Sequence, residues 1–327
     1  MKKYRMLIGI IISIAFLVAV FRNVNYKQIL ETFLHINYAI ILPAIVIQMC
    51  SYWVRSIRWS LMLSSIKKTK ITRLFSIICI SYMANSILPL RAGDLARAYL
   101  IGEKEGISKT AAFSTVILEK IYDGIALLLF LGVIALVFPF PMWLKTIGII
   151  TTLIFAGALL FTIFLVTFRN KTMDFTKFFL KFVPEKVRVK VLEILEKLID
   201  GFDIVKDKKN LLPIALCSII VWLMEAYLLY AIAVSFGFTS TVYLAIFTLV
   251  VINLGIMVPS SPGNVGTFEY FCIKALSLFN VTKDIALGFA LVYRVLQYTP
   301  ITLLGFIFLL KEGVSLSSMT SLSSKKQ

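Results

Sequence analysis

The chain has 327 residues, of which 59% are hydrophobic and 16% charged, with a mean hydropathy of +0.91 and a formal charge of +17. A soluble domain carries about 45–50% apolar and about 25% charged residues, so this composition excludes an ordinary soluble fold and indicates an all-α polytopic membrane protein. The excess of cations then reads as cytoplasmic loops facing anionic lipid, not as a nucleic-acid surface.

The scarce chemistry narrows the function further. His35 is the only histidine, which excludes a multi-histidine metal site and a Ser-His-Asp triad. Cys50, Cys79, Cys217 and Cys272 stand singly in apolar runs, as core residues do. No G-x-x-x-x-G-K-[ST] loop is present, so nucleotide hydrolysis by that route is excluded. No cofactor or metal is expected.

Lys2, Lys3 and Arg5 precede an apolar run from Met6 to Phe21 that lacks a small-residue cleavage site, which predicts an uncleaved first span with its N-terminus inside. Residues 22–37 form an outer loop. A second span is predicted over about 38–58, and the six cations and no acids of residues 55–73 place that stretch inside, with Arg55 and Arg58 as anchors.

Leu74 to Leu90 is interrupted at Asn85 and Pro89, and Arg91, Gly93, Asp94 and Arg97 follow. The piece before the break reaches about 22 Å at 1.5 Å per residue, short of the roughly 30 Å hydrocarbon core. Residues 74–101 therefore read as a re-entrant hairpin opening on the cytoplasmic side. A full span over 111–138 contains Glu119 and Asp123; Pro139-Phe140-Pro141 makes a turn, and residues 143–168 return inward.

Residues 169–209 carry eleven cations against seven acids and read as a cytoplasmic loop. Within it Val187, Val191, Ile194, Leu195, Leu198 and Phe202 have helical spacing, which predicts an amphipathic helix on the inner membrane face. A span over about 211–235 contains Glu225, expected as a lone protonated carboxyl. Residues 243–279 hold a second break, in which Asn253 precedes Pro259, Ser260, Ser261, Pro262, Gly263, Asn264, Gly266, Thr267 and Glu269. The last span, 285–310, contains Arg294, and residues 313–327 form a serine-rich tail expected to be disordered in the cytoplasm.

The two breaks share Pro-x-x-x-Gly. Two halves of span, span, hairpin, span follow, about 1–138 and about 143–312, in opposite orientations. Inverted repeats with broken helices are a transporter pattern. The expected architecture of this single transmembrane domain, 1–312, is about six full spans plus two re-entrant hairpins, or eight spans if the second hairpin crosses twice.

Ionisable residues inside spans are costly and mark pathways or buried pairs. Glu119 and Asp123 share a helix face and read either as a proton-coupling or cation-binding pair or as partners of Lys120, Arg91 or Arg97. Arg91 and Arg97 have the geometry to clamp a phosphate, or to snorkel toward headgroups. Arg294 has Glu269 as a natural partner. Helix N-termini after Gly93 and after Pro262 would favour an anionic headgroup, with Ser260, Ser261 and Asn264 adding hydrogen bonds.

At these residues the chain resembles the lysylphosphatidylglycerol synthase transmembrane family of flippase-like membrane proteins. The resemblance rests on Asn85-Ser86-Ile87-Leu88-Pro89-Leu90-Arg91-Ala92-Gly93-Asp94 with Arg97, on Leu118-Glu119-Lys120-Ile121-Tyr122-Asp123, on Pro259 to Glu269, and on Tyr293-Arg294, across roughly residues 5–312. Asn264 stands where members often have glycine. The membrane part of multiple peptide resistance factor is similar, and its lysyl transfer resides in a separate soluble domain; with only residues 312–327 after the last span, that domain is expected to be absent here. The resemblance thus implies a bacterial inner-membrane lipid translocator, not an enzyme, with both termini cytoplasmic. Its expected cargo is an aminoacyl-phosphatidylglycerol-like or polyprenyl-linked lipid. A headgroup transferase, and a non-catalytic subunit of a separate lipid synthase, are the alternatives. Expected partners are membrane lipids, with a lipid synthase, a glycosyltransferase or a second copy of the chain as further candidates, and no nucleic acid.

Overall fold

A computed structural model describes residues 37–88, 92–138, 141–239, 241–257 and 261–312, together with Val18 and Val20. The first span, Pro89, Arg91, Pro259, Ser260 and the tail 313–327 lie outside the described residues, apart from those two valines. All regular structure described is helical: α1 Tyr38–Leu63, α2 Ile71–Ile87, α3 Ala92–Glu105, α4 Lys109–Ala135, α5 Met142–Thr167, α6 Arg169–Phe179, α7 Glu185–Phe202, α8 Lys208–Ser235, α9 Thr241–Gly255, α10 Thr267–Ser277 and α11 Lys283–Lys311. Polar residues start three of them. Asn37, Ser108 and Asp207 accept from the backbone N–H of Ala39, Ala111 and Lys209 at 3.1, 3.3 and 3.1 Å.

Helices α1, α5, α8 and α11 are each long and apolar enough to cross a membrane. α4 matches them in length at 27 residues and buries its carboxylates. Two further apolar helices, α2 and α9, are short, and each is paired with a shorter neighbour, α3 and α10. α2 and α3 span about 26 and about 21 Å, and α9 and α10 about 22 and about 16 Å, against about 30 Å of hydrocarbon.

Contacts at the ends show where each hairpin opens. At one end Glu105, the last residue of α3, bonds Lys67 and Arg73 beside the start of α2, and Glu312 after α11 accepts from Lys104 and Ser76. At the other end Phe138 after α4 stacks on Phe279 after α10 at 5.3 Å and lies 5.9 Å from Phe247 of α9. The second hairpin thus opens at the end opposite the first. In side-by-side packing α2 lies along α11, α9 packs on α8 and more lightly on α4, and α1 and α8 make the most extensive helix pair.

Close approach within the first hairpin needs Gly93. A Cβ there would stand 2.0 Å from the Ser81 carbonyl oxygen, and the Ser81 hydroxyl donates to the Gly93 carbonyl at 2.8 Å. In the second break Gly263, Asn264 and Gly266 all have positive φ, at 66°, 54° and 88°. Asparagine is the non-glycine residue best suited to that region, which explains its stand-in for glycine at 264.

Two expectations change. The helix predicted after Pro184 is α7, but its C-terminal turns dock on α4: Ile199 and Phe202 are buried, and Gly201 comes so near that a Cβ would lie 2.2 Å from the Ala111 carbonyl oxygen. Val187, Val191 and Ile194 remain exposed. Arg55 and Arg58 are not anchors at a membrane surface; both are buried, because carboxylates on α4 and α8 receive them.

Candidate functional site

Charged side chains form a layer between two apolar cores. One core joins the far halves of α4 and α8 with α9, α10 and the start of α11; the other joins α2, α3 and the later part of α1. Arg55, Arg58, Arg97, Glu119, Asp123 and Glu225 sit between them, each no more than 6% exposed.

Arg58 is the hub. Its guanidinium donates to Asp123 Oδ1 at 2.6 Å and to the Ser218 hydroxyl at 2.8 Å, and pairs with Glu119 Oε1 at 2.9 Å. Arg97 donates to Glu119 Oε2 at 2.7 Å and stacks 3.8 Å above the Trp59 ring. Arg55 bonds Glu225 and stands 3.9 Å from Asp123. The Trp222 indole donates to Asp123 at 3.1 Å. Three guanidiniums thus face three carboxylates: Glu119 pairs with Arg97, one of the partners expected for it, and with Arg58, Asp123 pairs with Arg58, and Glu225 is not the lone carboxyl expected. Lys120 stands 3.7 Å from Asp94.

The layer is not fully satisfied. The Nε–H groups of Arg55, Arg58 and Arg97 and both amide atoms of Gln48 have no hydrogen-bond partner among the described residues. Buried polar groups rarely stay so unless water or a ligand completes them.

At the second break, Glu269 accepts from the Gly266 N–H at 2.8 Å and from Arg294 Nε at 2.5 Å. Arg294 also donates to the carbonyls of Gly263 and Asn264 at 2.7 and 3.3 Å, and lies 4.6 Å over Phe268. The helix N-terminus expected to meet a headgroup is therefore capped by the chain's own carboxylate. Arg294 holds the irregular turn in place while keeping 18% of its side chain exposed. The tips meet: a Cβ on Gly263 would lie 3.2 Å from the Ser86 carbonyl oxygen at the end of α2.

At the first break Asn85 donates to Asp94 at 3.1 Å. Ser261 is half-buried, and its hydroxyl donates to the Val265 carbonyl at 3.4 Å. Of the residues expected to bind a headgroup, Arg97 is sealed inside and Arg294 and Asn264 are joined at the second break; Arg91 and Ser260 lie outside the described residues. The sequence reading missed Arg55, Arg58, Ser218 and Trp222 as members of the charged layer. A polar stripe along α1, Gln48, Ser51, Tyr52, Arg55, Arg58 and Trp59, was the available signal.

The family described as Lysylphosphatidylglycerol synthase TM region matches residues 6–305. A UPF0104 membrane protein of Methanocaldococcus jannaschii is 23% identical over 313 residues, covering 92% of this chain and 93% of that protein. One from Methanothermobacter thermautotrophicus is 22% identical over 331 residues, covering 96% and 98%. Glycosyltransferase AglD of Haloferax volcanii is 22% identical over 349 residues, covering 97% of this chain and 56% of that protein. No solved structure matches. With a family match over nearly its whole length, the chain belongs to the lysylphosphatidylglycerol synthase transmembrane-region family of multi-pass membrane proteins.

Proposed function

We propose that this protein moves a lipid with a polar or anionic headgroup between the leaflets of the bacterial inner membrane, its basic end facing the cytoplasm. The observation that carries this reading is the meeting of two oppositely opening hairpins, at Ser86 and Gly263, beside a partly exposed arginine and above a buried charged layer with unsatisfied donors. Irregular backbone at membrane depth is tolerated where it lines a cavity or is buried in protein, and paired broken helices are the usual binding device of transporters. In this reading Arg294 meets the headgroup first, and the arginines of the layer take it up when the hairpins part. The lipid tails remain in the bilayer. Proton coupling in this reading would use Glu119, Asp123 or Glu269 at the moment its arginine partner leaves it for the headgroup.

Reconstitution in vesicles with fluorescent lipids tests the proposal. Wild-type protein should accelerate leaflet exchange of anionic-headgroup lipids over empty vesicles, and Arg294→Ala should lose most of that gain. Exchange no faster than in empty vesicles, with and without a proton gradient, overturns it.

A second reading is favoured by the similarity to a protein named a glycosyltransferase, of which this chain matches 56% of the length. Here the chain is the membrane part of a lipid headgroup-transfer system, with a separate synthase or glycosyltransferase as partner. Lipid turnover by purified protein, abolished in Glu119→Gln, would favour catalysis by the chain itself; turnover that requires a co-purified second protein would favour the subunit reading.

A further inference from the structure

Between α4 and α5, near the turn that joins them, lies an open groove of about 550 Å³. That volume falls in the range of small-molecule sites, about 300–1,000 Å³. Its floor is made of small residues, Gly132 and Ala135 on α4 and Gly148 on α5, with Leu131 and Leu153 along the walls. A Cβ on Gly132 would meet nothing within 4 Å. The Thr152 hydroxyl in the wall is spent on the Gly148 carbonyl at 2.7 Å, so the lining presents almost no free polar group. The exception is Lys145, in the first turns of α5, which is exposed and stands in none of the ion pairs among the described residues. Trp143 lies two residues before it, 39% exposed, as tryptophans do at the headgroup level.

We propose that this groove holds one acyl chain of a phospholipid whose phosphate rests on Lys145. The neighbouring face of α5 favours lipid over protein as the occupant: Ile149, Ile150, Leu153, Ile154, Leu160 and Phe161 are exposed and apolar, in a helix long enough to span the membrane. From Lys145 to Leu153 the helix rises about 12 Å, so a phosphate on the ammonium places the upper part of an acyl chain along the glycine floor. A lysine on a flexible stem suits a phosphate at the interface. The site stands whether or not the chain moves lipid between leaflets, because occupancy and flux are separate measurements.

The test uses the full chain in phosphatidylcholine nanodiscs containing a trace of phosphatidylglycerol with a diazirine in one acyl chain. After irradiation, adducts are mapped by peptide mass spectrometry, and diacylglycerol bearing the same chain serves as the headgroup-free probe. Adducts should concentrate on residues 128–135 and 148–153. Lys145→Glu should lower phosphatidylglycerol adducts there by about fivefold, the scale of one exposed charge contact, and leave diacylglycerol adducts unchanged. Gly132→Leu, which fills the floor, should lower both probes by about tenfold. Leu153→Trp, which fills the groove from the bilayer side, should do the same and guards against a folding defect in the first filler. Adducts spread evenly over the exposed faces of α5, α8 and α11, or unchanged labelling in Lys145→Glu or in both fillers, overturn the proposal.

Discussion

Asp94 and Glu269 occupy the same place in two hairpins: each is the third residue of the helix that restarts after a break, and each faces a cation on the span that follows. Asp94 faces Lys120 at 3.7 Å, and Glu269 faces Arg294, 25 residues on, at 2.5 Å. A carboxylate in a first turn offsets the partial positive charge of the helix N-terminus. The tie to the next span also fixes the short limb against a full-length helix.

Removing Glu269 should therefore cost two interactions at once. Glu269→Ala frees the Gly266 N–H and the Arg294 guanidinium, for a loss of about 2–4 kcal/mol if each behaves as a buried hydrogen-bonding group left without its partner. Glu269→Gln keeps an oxygen for Gly266 but no charge for Arg294, so its thermal midpoint in detergent should fall between Ala and wild type. Equal midpoints for Gln and Ala would show that the cap contributes nothing.

Arg58 should be the most costly single cation to remove. Arg58→Ala leaves Asp123 and Glu119 short of a buried positive charge, and breaking such a pair costs about 3–5 kcal/mol. Arg294→Ala, at a partly exposed site, should cost clearly less. Thermal unfolding of the purified variants orders them, and an Arg58→Ala midpoint at or above that of Arg294→Ala contradicts the hub assignment.

The charged layer also shows where reading the sequence worked and where it stopped. Proline, glycine and asparagine inside apolar runs announced both breaks, because their backbone chemistry is local. Arg55 and Arg58 were assigned to the surface because they stand near the end of an apolar run and before a basic loop. Counting loop cations has no resolution in depth. Their partners lie 65 and 170 residues away, on α4 and α8, and such pairings carry no spacing signal. The docking of α7 on α4 was hidden for a similar reason: the moment of an amphipathic helix is the same whether its apolar face meets lipid or protein.

Asn264 offers a conformational test. At φ 54° a β-carbon is strained, and asparagine tolerates this better than other side chains. Asn264→Gly should melt no lower than wild type, while Asn264→Ala should lose about 1 kcal/mol. Because the Asn264 carbonyl accepts from Arg294 and from the Thr267 hydroxyl, the alanine variant should also slow any Arg294-dependent lipid exchange.

Acid should loosen the end of the first hairpin through Glu105. Hydrogen bonds from Lys67, then from Arg73, hold its carboxyl below the ordinary value for glutamate. A depressed folded value means that the unfolded chain binds the proton more readily. The contribution is therefore complete above the unfolded value of about 4.3 and is lost as pH falls toward the folded one. The midpoint gap between wild type and Glu105→Gln should close as the buffer is taken from pH 6 down through about 4. Both cations are nearly half exposed, so the gap should stay under about 1 kcal/mol. A gap that widens in acid would contradict the assignment.

The balance of signs among the buried charges has an electrical consequence. Arg55, Arg58 and Arg97 are matched by Glu119, Asp123 and Glu225, and Arg294 by Glu269. A membrane potential does work of about 2.3 kcal/mol per elementary charge per 100 mV, but only on charge that is displaced without its counter-charge. If these ion pairs shift as units when the hairpins part, the rearrangement itself draws nothing from the field. Under the proposed lipid translocation the voltage then acts only on the net charge of the lipid, so a neutral headgroup should cross at a rate indifferent to polarity, while an anionic one should be biased toward the positive side.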